Sequence, residues 1–407
     1  MSLYGMMRTG GSGMNAQANR LGTVAENIAN SNTTGYKRAS TEFSSLILPT
    51  SNGAYNSGGV ETKVRYSISE QGPTTYTTSG TDMAINGGGF FIVEGANGSN
   101  FLTRAGAFTQ NGDGDLVNSA GYTLMGYEYK AGVDPTVVVN GFDGLTKVNL
   151  ASDGLVAKGS TKGAMGATLN SGDAVGTESP TSLKVFDSQG NARLLDFVYK
   201  KTGPNAWTVE VRDRATYVAP STGVLATQAL AFNAAGQLTT TPATLTTTAI
   251  NGLPGTGANL GAITIDFSKT QQLGREFTPD GGTIDGSAPS KVAGYQIDKE
   301  GIVYVKYENG TLDPRYRVAL ATVQSPDNLI PQSGNVYSQG VDSGVIITGF
   351  AGSGDFGSIQ SGALEGSNVD IANELTAMIE SQRSYTANSK VFQTGADLLD
   401  VLVNLKR

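Results

Sequence analysis

Two seven-residue repeats, one at each end of the chain, constrain this sequence most. Near the start, Met7, Met14, Leu21 and Ile28 recur every seven residues, and Leu3, Gly10, Gln17 and Val24 form a second track between them. Near the end, Ile371, Leu375, Met378, Gln382, Tyr385, Ser389, Phe392, Ala396, Leu399 and Val403 alternate spacings of four and three. Both patterns are the a/d seam of a helix that packs lengthwise on another helix. Neither is a strong solitary helix. Gly10, Gly11 and Gly13 each cost roughly 1 kcal/mol against Ala, and Gln17, Gln382 and Ser389 put polar groups on the seams. Asn368 or Asp370 offers an N-cap to the second helix, and Lys406 and Arg407 suit the negative end of its dipole. From 370 onward it extends about 55 Å. The pattern predicts a paired terminal stalk; the plainer alternative is two separate amphipathic helices on a globular core.

If the ends pair, the middle must leave the stalk and return to it. The chain of 407 residues is long for one core. The middle reads as β. "FFIVEG" and "DLVNSAGYTLMGYEY" are strands with glycine turns, Lys299-Glu300-Gly301 and Asn309-Gly310 bracket the run Ile302 to Tyr307, and "RYRVALATV" places Tyr316, Val318, Leu320 and Thr322 on one face. "LKVFDSQGNARLLDFVYKK" is a further strand-turn-strand. From Ala215 to Ile265 there is no charged residue, and the segment is rich in Thr, Ala and Gly. Charge-driven disorder does not fit it; an outlying β domain fits better than a low-complexity linker. The expected class is mixed, mainly β, with nested β domains inserted between terminal α-helices that pair as a coiled-coil-like stalk. The expected pieces are a helical stalk (1–32 plus 368–407), a connecting arm (33–75), a first β domain (76–148 plus 290–365) and an inserted outer β domain (149–289).

Composition removes most chemistry. The chain has no His and no Cys, which excludes imidazole triads, thiolate nucleophiles, disulfides and Cys or His metal sites. A net charge of −7 argues against nucleic acid. No apolar run is long enough to span a membrane, and residues 1–30 lack the basic start and apolar run of a cleaved signal. "NGDGD" at 111–115 has calcium-loop alternation, but Leu116 and Tyr122 stand at its sixth and twelfth positions where Gly and Glu are needed; a β-turn fits better. Gly87-Gly88-Gly89 lacks the Gly-Lys-Ser/Thr of a phosphate loop. Asn97-Gly98-Ser99 is a chance sequon, and Asp113 with Asp115 is indistinguishable from surface charge. The expectation is no catalytic, cofactor or metal site.

Three long segments carry a resemblance. "GMNAQANRLGTVAENIANSNTTGYKR" is similar to the N-terminal signature of the bacterial flagellar rod, hook and hook-associated axial proteins. "TDMAINGGGFFIVEGANGSNFLTRAGAFTQNGDGDLVNSAGYTLMGY" resembles that family's second motif, and "GALEGSNVDIANELTAMIESQRSYTANSKVFQTGADLLDVLVNLKR" its C-terminal motif. Rod members are much shorter; the insert and its "VFDSQGN" point to the hook branch. Gly11 and Gly13 flank Ser12, where relatives often have a bulkier residue before the Ser-Gly.

The resemblance implies a non-enzymatic subunit of a curved extracellular tube that passes torque from rod to filament. It implies export through the flagellar type III apparatus without a cleaved signal. The implied partners are further copies of itself, a hook cap protein, the distal rod protein and the hook–filament junction protein, with no nucleic acid and no membrane insertion. The implied polymerisation seam is Leu3, Met7, Met14, Leu21, Val24, Ile28, Ile371, Leu375, Met378, Tyr385, Phe392, Leu399 and Val403. The hinge out of the stalk is Asn30, Asn32, Gly35 and Tyr36: the Asn side chains satisfy backbone or adopt left-handed conformations, Gly35 permits positive φ, and Tyr36 buries its ring while using its hydroxyl. Two alternatives stay open, a distal-rod-type axial protein and a secreted β-rich binding or carbohydrate-active protein.

Overall fold

The computed structural model describes residues 3–47, 57–130, 132–151, 154–217, 223–253 and 256–405. Helix α1 (Leu3–Ala29) and helix α2 (Ile371–Leu405) hold the two ends. Asp370 caps α2: its Oδ1 accepts the N–H of Ala372 at 2.9 Å and of Asn373 at 3.4 Å. At the end of α1, the Asn30 backbone N–H and Nδ2 both donate to the Glu26 carbonyl, at 3.1 and 3.0 Å, which covers a carbonyl the helix would leave open. Lys406 and Arg407, read as dipole partners, lie outside the described residues, as does the Leu3 side chain.

The chain divides into two compact units, one of Met1–Ser152, Gly294–Lys306 and Leu312–Arg407, the other of Asp153–Ala293 and Tyr307–Thr311. Stalk, arm and first β domain, expected as three pieces, belong to one unit. The arm is not a bare connector. Strands β1 (Ala39–Ile47) and β2 (Ser57–Tyr66) form an antiparallel hairpin, with Phe43 opposite Thr62 and Thr41 opposite Val64, that lies on α1.

The sheet of the first unit is buried on both faces. Strand β5 (Leu312–Thr322) pairs with the strand Ile302–Tyr307, with β3 (Phe90–Glu94) and with β4 (Thr123–Glu128). The expected alternation on β5 is only half of its pattern. Val318 and Leu320 pack with Met83, Phe91 and Phe108, while Ala319 and Ala321 pack on the other face with Phe90, Ile92 and Tyr337. The unbroken apolar run of "FFIVEG" has the same cause: a strand covered on both sides needs no polar face.

One turn recurs. At Asn111, Asn118, Asp187, Asn233 and Asp298, the side-chain Oδ1 accepts the N–H groups of the second and fourth residues beyond it. The third residue beyond is in each case a glycine with φ between 78° and 93°, a conformation that penalises any Cβ. "NGDGD" is such a turn: Asn111 spends its oxygen on the backbone, not on a cation.

The second unit pairs a four-stranded meander (Glu178–Phe186, Ala192–Gly203, Ala206–Asp213, Val224–Ala231) with a five-stranded sheet around Lys162–Asn170. Trp207, Phe197, Tyr199 and Phe267 fill the space between, and the Trp207 indole donates to Gln272 Oε1 at 2.8 Å. The charge-free stretch supplies Leu225, Leu230, Phe232, Leu253, Leu260, Ile263 and Ile265 to this core. It is part of a folded domain, and its exposed positions carry Thr, Ala, Asn, Gln and Gly in place of charged residues.

The units have separate cores, and in the first one Tyr295 donates its hydroxyl to the Leu150 carbonyl at 2.6 Å, fixing the two segments that would flank an excision. Replacing residues 153–293 by a short linker is expected to leave the first unit with a cooperative thermal transition, shifted by no more than about 5 °C. Calorimetry that shows no cooperative transition would disprove the separation.

Candidate assembly surface

The helices run antiparallel and approach through glycines. A Cβ on Gly10 would stand 3.3 Å from the Asn388 carbonyl oxygen, one on Gly13 would stand 2.8 Å from Asn388 Nδ2, and one on Gly395 would stand 2.7 Å from Met7 Cγ. Glycines that weaken α1 in isolation are what let α2 lie close to it. Arg20 and Glu380 bridge the pair at 2.8 Å.

The predicted seam is divided by this arrangement. On α1, Val24 is buried and Met7, Met14, Leu21 and Ile28 are half-buried. On α2, Met378 and Leu399 are half-buried, but Ile371, Leu375, Tyr385, Phe392 and Val403 remain 46%, 47%, 41%, 38% and 64% exposed. The covered track is Glu374, Ser381, half-buried Asn388 and Gly395. It too repeats every seven residues, one position before the track Leu375, Gln382, Ser389, Ala396 that apolarity favours. Small and polar residues take the intrachain contact because they let the backbones close. The larger apolar residues flank it and face outward, joined by Ile379, Leu398, Val401 and Leu402, each more than 40% exposed.

A further face of α1 is polar and holds the hairpin. Ser12 Oγ donates to the Val60 carbonyl at 2.9 Å and accepts the Val60 N–H at 2.8 Å. Asn19 Nδ2 donates to Thr62 Oγ1 at 2.8 Å, and the Thr23 and Thr41 hydroxyls meet at 3.0 Å. Asn27, 1% exposed, donates to the Ala39 carbonyl at 2.7 Å and accepts the Ala39 N–H at 2.9 Å. Ser12 and Asn27 thus act as strand residues toward the hairpin, satisfying backbone groups that would otherwise be open.

Beyond α1 the chain turns into a buried junction. Gly35, at φ 69°, touches the backbone of Ala105 so closely that an added Cβ would stand 2.5 Å from its nitrogen. Its N–H donates to the Glu365 carbonyl at 2.8 Å. Tyr36 is buried and donates its hydroxyl to Asn27 Oδ1 at 3.1 Å. Asn30 caps α1, and Asn32 is exposed. The expected left-handed asparagines are absent here: among the described non-glycine residues only Asn335 has positive φ, and its Nδ2 donates to the Thr34 carbonyl at 3.2 Å.

Three charges at the junction escaped the sequence reading. Glu365 takes Lys37 Nζ on Oε1 at 2.5 Å and Arg104 Nη1 on Oε2 at 3.2 Å, with side-chain exposures of 0%, 1% and 5%. Glu365 Oε1 also accepts the Gly72 N–H at 3.0 Å, Lys37 reaches the Glu70 carbonyl, and Arg104 donates to the Gly87 carbonyl at 2.8 Å. Burial pulls Lys37 and Arg104 below their ordinary values, and Glu365 acts against that. Beside them, Arg38 Nε donates to Glu374 Oε1 at 2.6 Å, and Asn368 accepts the Arg38 N–H at 2.7 Å. Segments around 37, 70, 104 and 365 thereby clamp the start of α2 to the end of α1. No spacing rule reaches across such separations. The available signal is compositional: Arg104 and Glu365 stand among Gly, Ala and Ser in a chain only 15% charged.

Beside α1, helix α2 leaves apolar side chains uncovered, Ile371, Leu375, Ile379, Tyr385 and Val403 among them. Among the described residues no cluster of acidic side chains suits a metal, and no helix is long and apolar enough to cross a membrane. Four family models match in chain order: flagella basal body rod protein (7–37), flagellar hook protein FlgE/F/G D1 domain (84–158), flagellar basal body protein FlaE D2 domain (149–287) and flagellar basal body rod FlgEFG protein C-terminal (360–405). The flagellar hook protein FlgE of Rhizobium meliloti (strain 1021) is 74% identical over all of both chains. That of Brucella abortus is 48% identical, again over all of both chains. The Escherichia coli (strain K12) protein is 33% identical over 97% of this chain and 98% of its own. Full-length agreement, the insert included, decides against the shorter rod proteins and against a secreted binding protein or carbohydrate-active enzyme. The chain belongs to the flagellar hook protein FlgE family and is a structural subunit of the hook.

Proposed function

We propose that the outward apolar residues of α1 and α2 are the surface through which copies of this chain polymerise into a curved, flexible tube that passes torque from rod to filament. The observation that carries this is the set of apolar side chains around α2, Ile371, Leu375, Ile379, Phe392, Leu398 and Val403, that are 38% to 64% exposed. Burying the exposed half of each such side chain stabilises by roughly 1 kcal/mol, so the set together contributes to the free energy of association. The hook cap, distal rod and hook–filament junction proteins, and the type III export apparatus, are the further partners this role requires. The second unit makes the adjustable contacts: its charge-free stretch exposes Thr, Ala and Gly, and shallow polar contacts shift more readily than interlocked cores.

A chain ending at residue 370 tests this. It is expected to stay soluble, to keep the thermal transitions of both units and to form no tubes under conditions where the full chain does, as seen by electron microscopy. Tubes of normal length from the truncated chain would exclude α2 as the assembly surface.

A further inference from the structure

The methionines divide by where they stand. Met83, Met125 and Met165 lie in the β units and are 0%, 4% and 2% exposed. Met6, Met7, Met14 and Met378 lie on the two helices and are half-buried. Met1 is outside the described residues. A thioether is oxidised where the oxidant can reach its sulfur, so an oxidant that spares the β cores still meets the helices. Among these side chains Met7 spans the helix pair. It lies across Gly395 of α2, where an added Cβ would stand 2.7 Å from Met7 Cγ and 3.7 Å from its sulfur. An unbranched apolar chain thus fills the room that the missing Cβ leaves. Met7 also lines an open groove of about 640 Å³, together with Tyr4, Gly11, Val60, Phe392 and Leu399. Nothing stands within 4 Å of where a Cβ on Gly11 would be, so the groove admits water and small solutes beside the sulfur.

We infer that Met7 is an oxidation site that decides whether a subunit can join the polymer. This rests on the reading that the helix pair carries polymerisation. The oxidant is a peroxide. One oxygen atom of hydrogen peroxide passes to the Met7 sulfur, the O–O bond breaks, an S–O bond forms, the sulfur loses two electrons and water leaves. The product is a sulfoxide, a polar acceptor where there was a bare thioether. Its oxygen needs a donor. The backbone N–H groups of α2 around Gly395 are used within the helix, and Gly395 brings no side chain. The oxygen must therefore turn into the groove. That draws the side chain off Gly395 and opens the contact between α1 and α2, so the pair no longer presents one fixed surface to a neighbouring copy. The β units keep their cores, because their methionines are out of reach.

The test uses the full chain. It is treated with hydrogen peroxide until part of the Met7 is sulfoxide, freed of peroxide and set to form tubes. Tubes and residual subunits are separated by sedimentation, and each methionine is read by peptide mass spectrometry. Met7 sulfoxide is expected to be enriched about tenfold in the subunits left behind, and those subunits are expected to keep the thermal transitions of both units. Equal Met7 sulfoxide in tubes and in solution would overturn the inference. Reduction of the residual subunits by methionine sulfoxide reductases is expected to return them to tubes; fully reduced subunits that stay in solution would overturn it as well. Met7→Gln separates Met7 from the other methionines. Gln is unbranched at Cγ, as Met is, so it fits against Gly395, and it is polar beyond. Without any peroxide this variant is expected to need about ten times the concentration for tube growth. An unchanged threshold would overturn the assignment to Met7. Failure of the untreated, unsubstituted chain to form tubes would instead overturn the reading beneath it.

Discussion

Glu365→Ala is expected to destabilise the first unit by about 3–5 kcal/mol, the cost of leaving a buried ion without its partner. Glu365 is the anion that pairs directly with both cations, Lys37 and Arg104, all three essentially inaccessible to water. Removing it leaves two like charges buried side by side. Lys37 keeps the Glu70 carbonyl and Arg104 the carbonyls of Gly87 and, at 3.5 Å, Ile85, and no carbonyl can balance a charge. Arg104 also lies 5.1 Å from the centre of the Phe90 ring, a contact too weak to compensate. Lys37→Met is expected to cost far less, because it leaves one cation with one anion. Glu365→Gln, which keeps the shape and loses the charge, should fall between. Urea unfolding of the three variants measures the order. A loss below about 1 kcal/mol for Glu365→Ala would mean that the ion cluster does not hold the junction.

Raising the pH past 10 is expected to destabilise both units. Burial pushes Tyr36 and Tyr337 in the first unit, and Tyr199 in the second, above the usual 10.0, and nearby carboxylates, Glu26 for Tyr36 and Glu365 for Tyr337, push in the same direction. Below pH 10 the phenols are protonated folded or unfolded, and their contribution to stability is fully present. Above it the unfolded chain gives up those protons while the folded chain keeps them, so stability falls as pH rises toward the folded values. Each tyrosine then loses about 1.4 kcal/mol per pH unit. Lys37 acts oppositely: its folded value lies below 10.5, so its penalty is relieved between that value and 10.5 and offsets part of the first unit's loss. Thermal melts between about pH 8 and 11 read the slope. Tyr199→Phe should flatten it for the second unit alone; an unaltered slope there would refute the assignment to Tyr199.

Much of this was legible in the sequence for a local reason. Helical period, the Asp370 cap, the strand Ile302–Tyr307 between its two turn signals and the Asn/Asp-x-x-Gly turns depend on residues a few positions apart, and that information survives in one dimension. The two helices and the mainly β middle follow from it. Tertiary structure decided the rest. A seven-residue repeat fixes that α2 packs, but the tracks beginning at Glu374 and at Leu375 repeat equally well, and only the approach of Gly10 and Gly13 to Asn388 selects the first. Apolarity pointed to the second, whereas the first, of small and polar residues, is the one that lets the two backbones close. The hairpin's hold on α1 was hidden because Ser12, Asn19, Thr23 and Asn27 read as a solvent face until a backbone is laid against them. The Lys37–Glu365–Arg104 cluster was hidden because charges attract through space, and no pattern along the chain encodes a distance of 2.5 Å between residues 37 and 365.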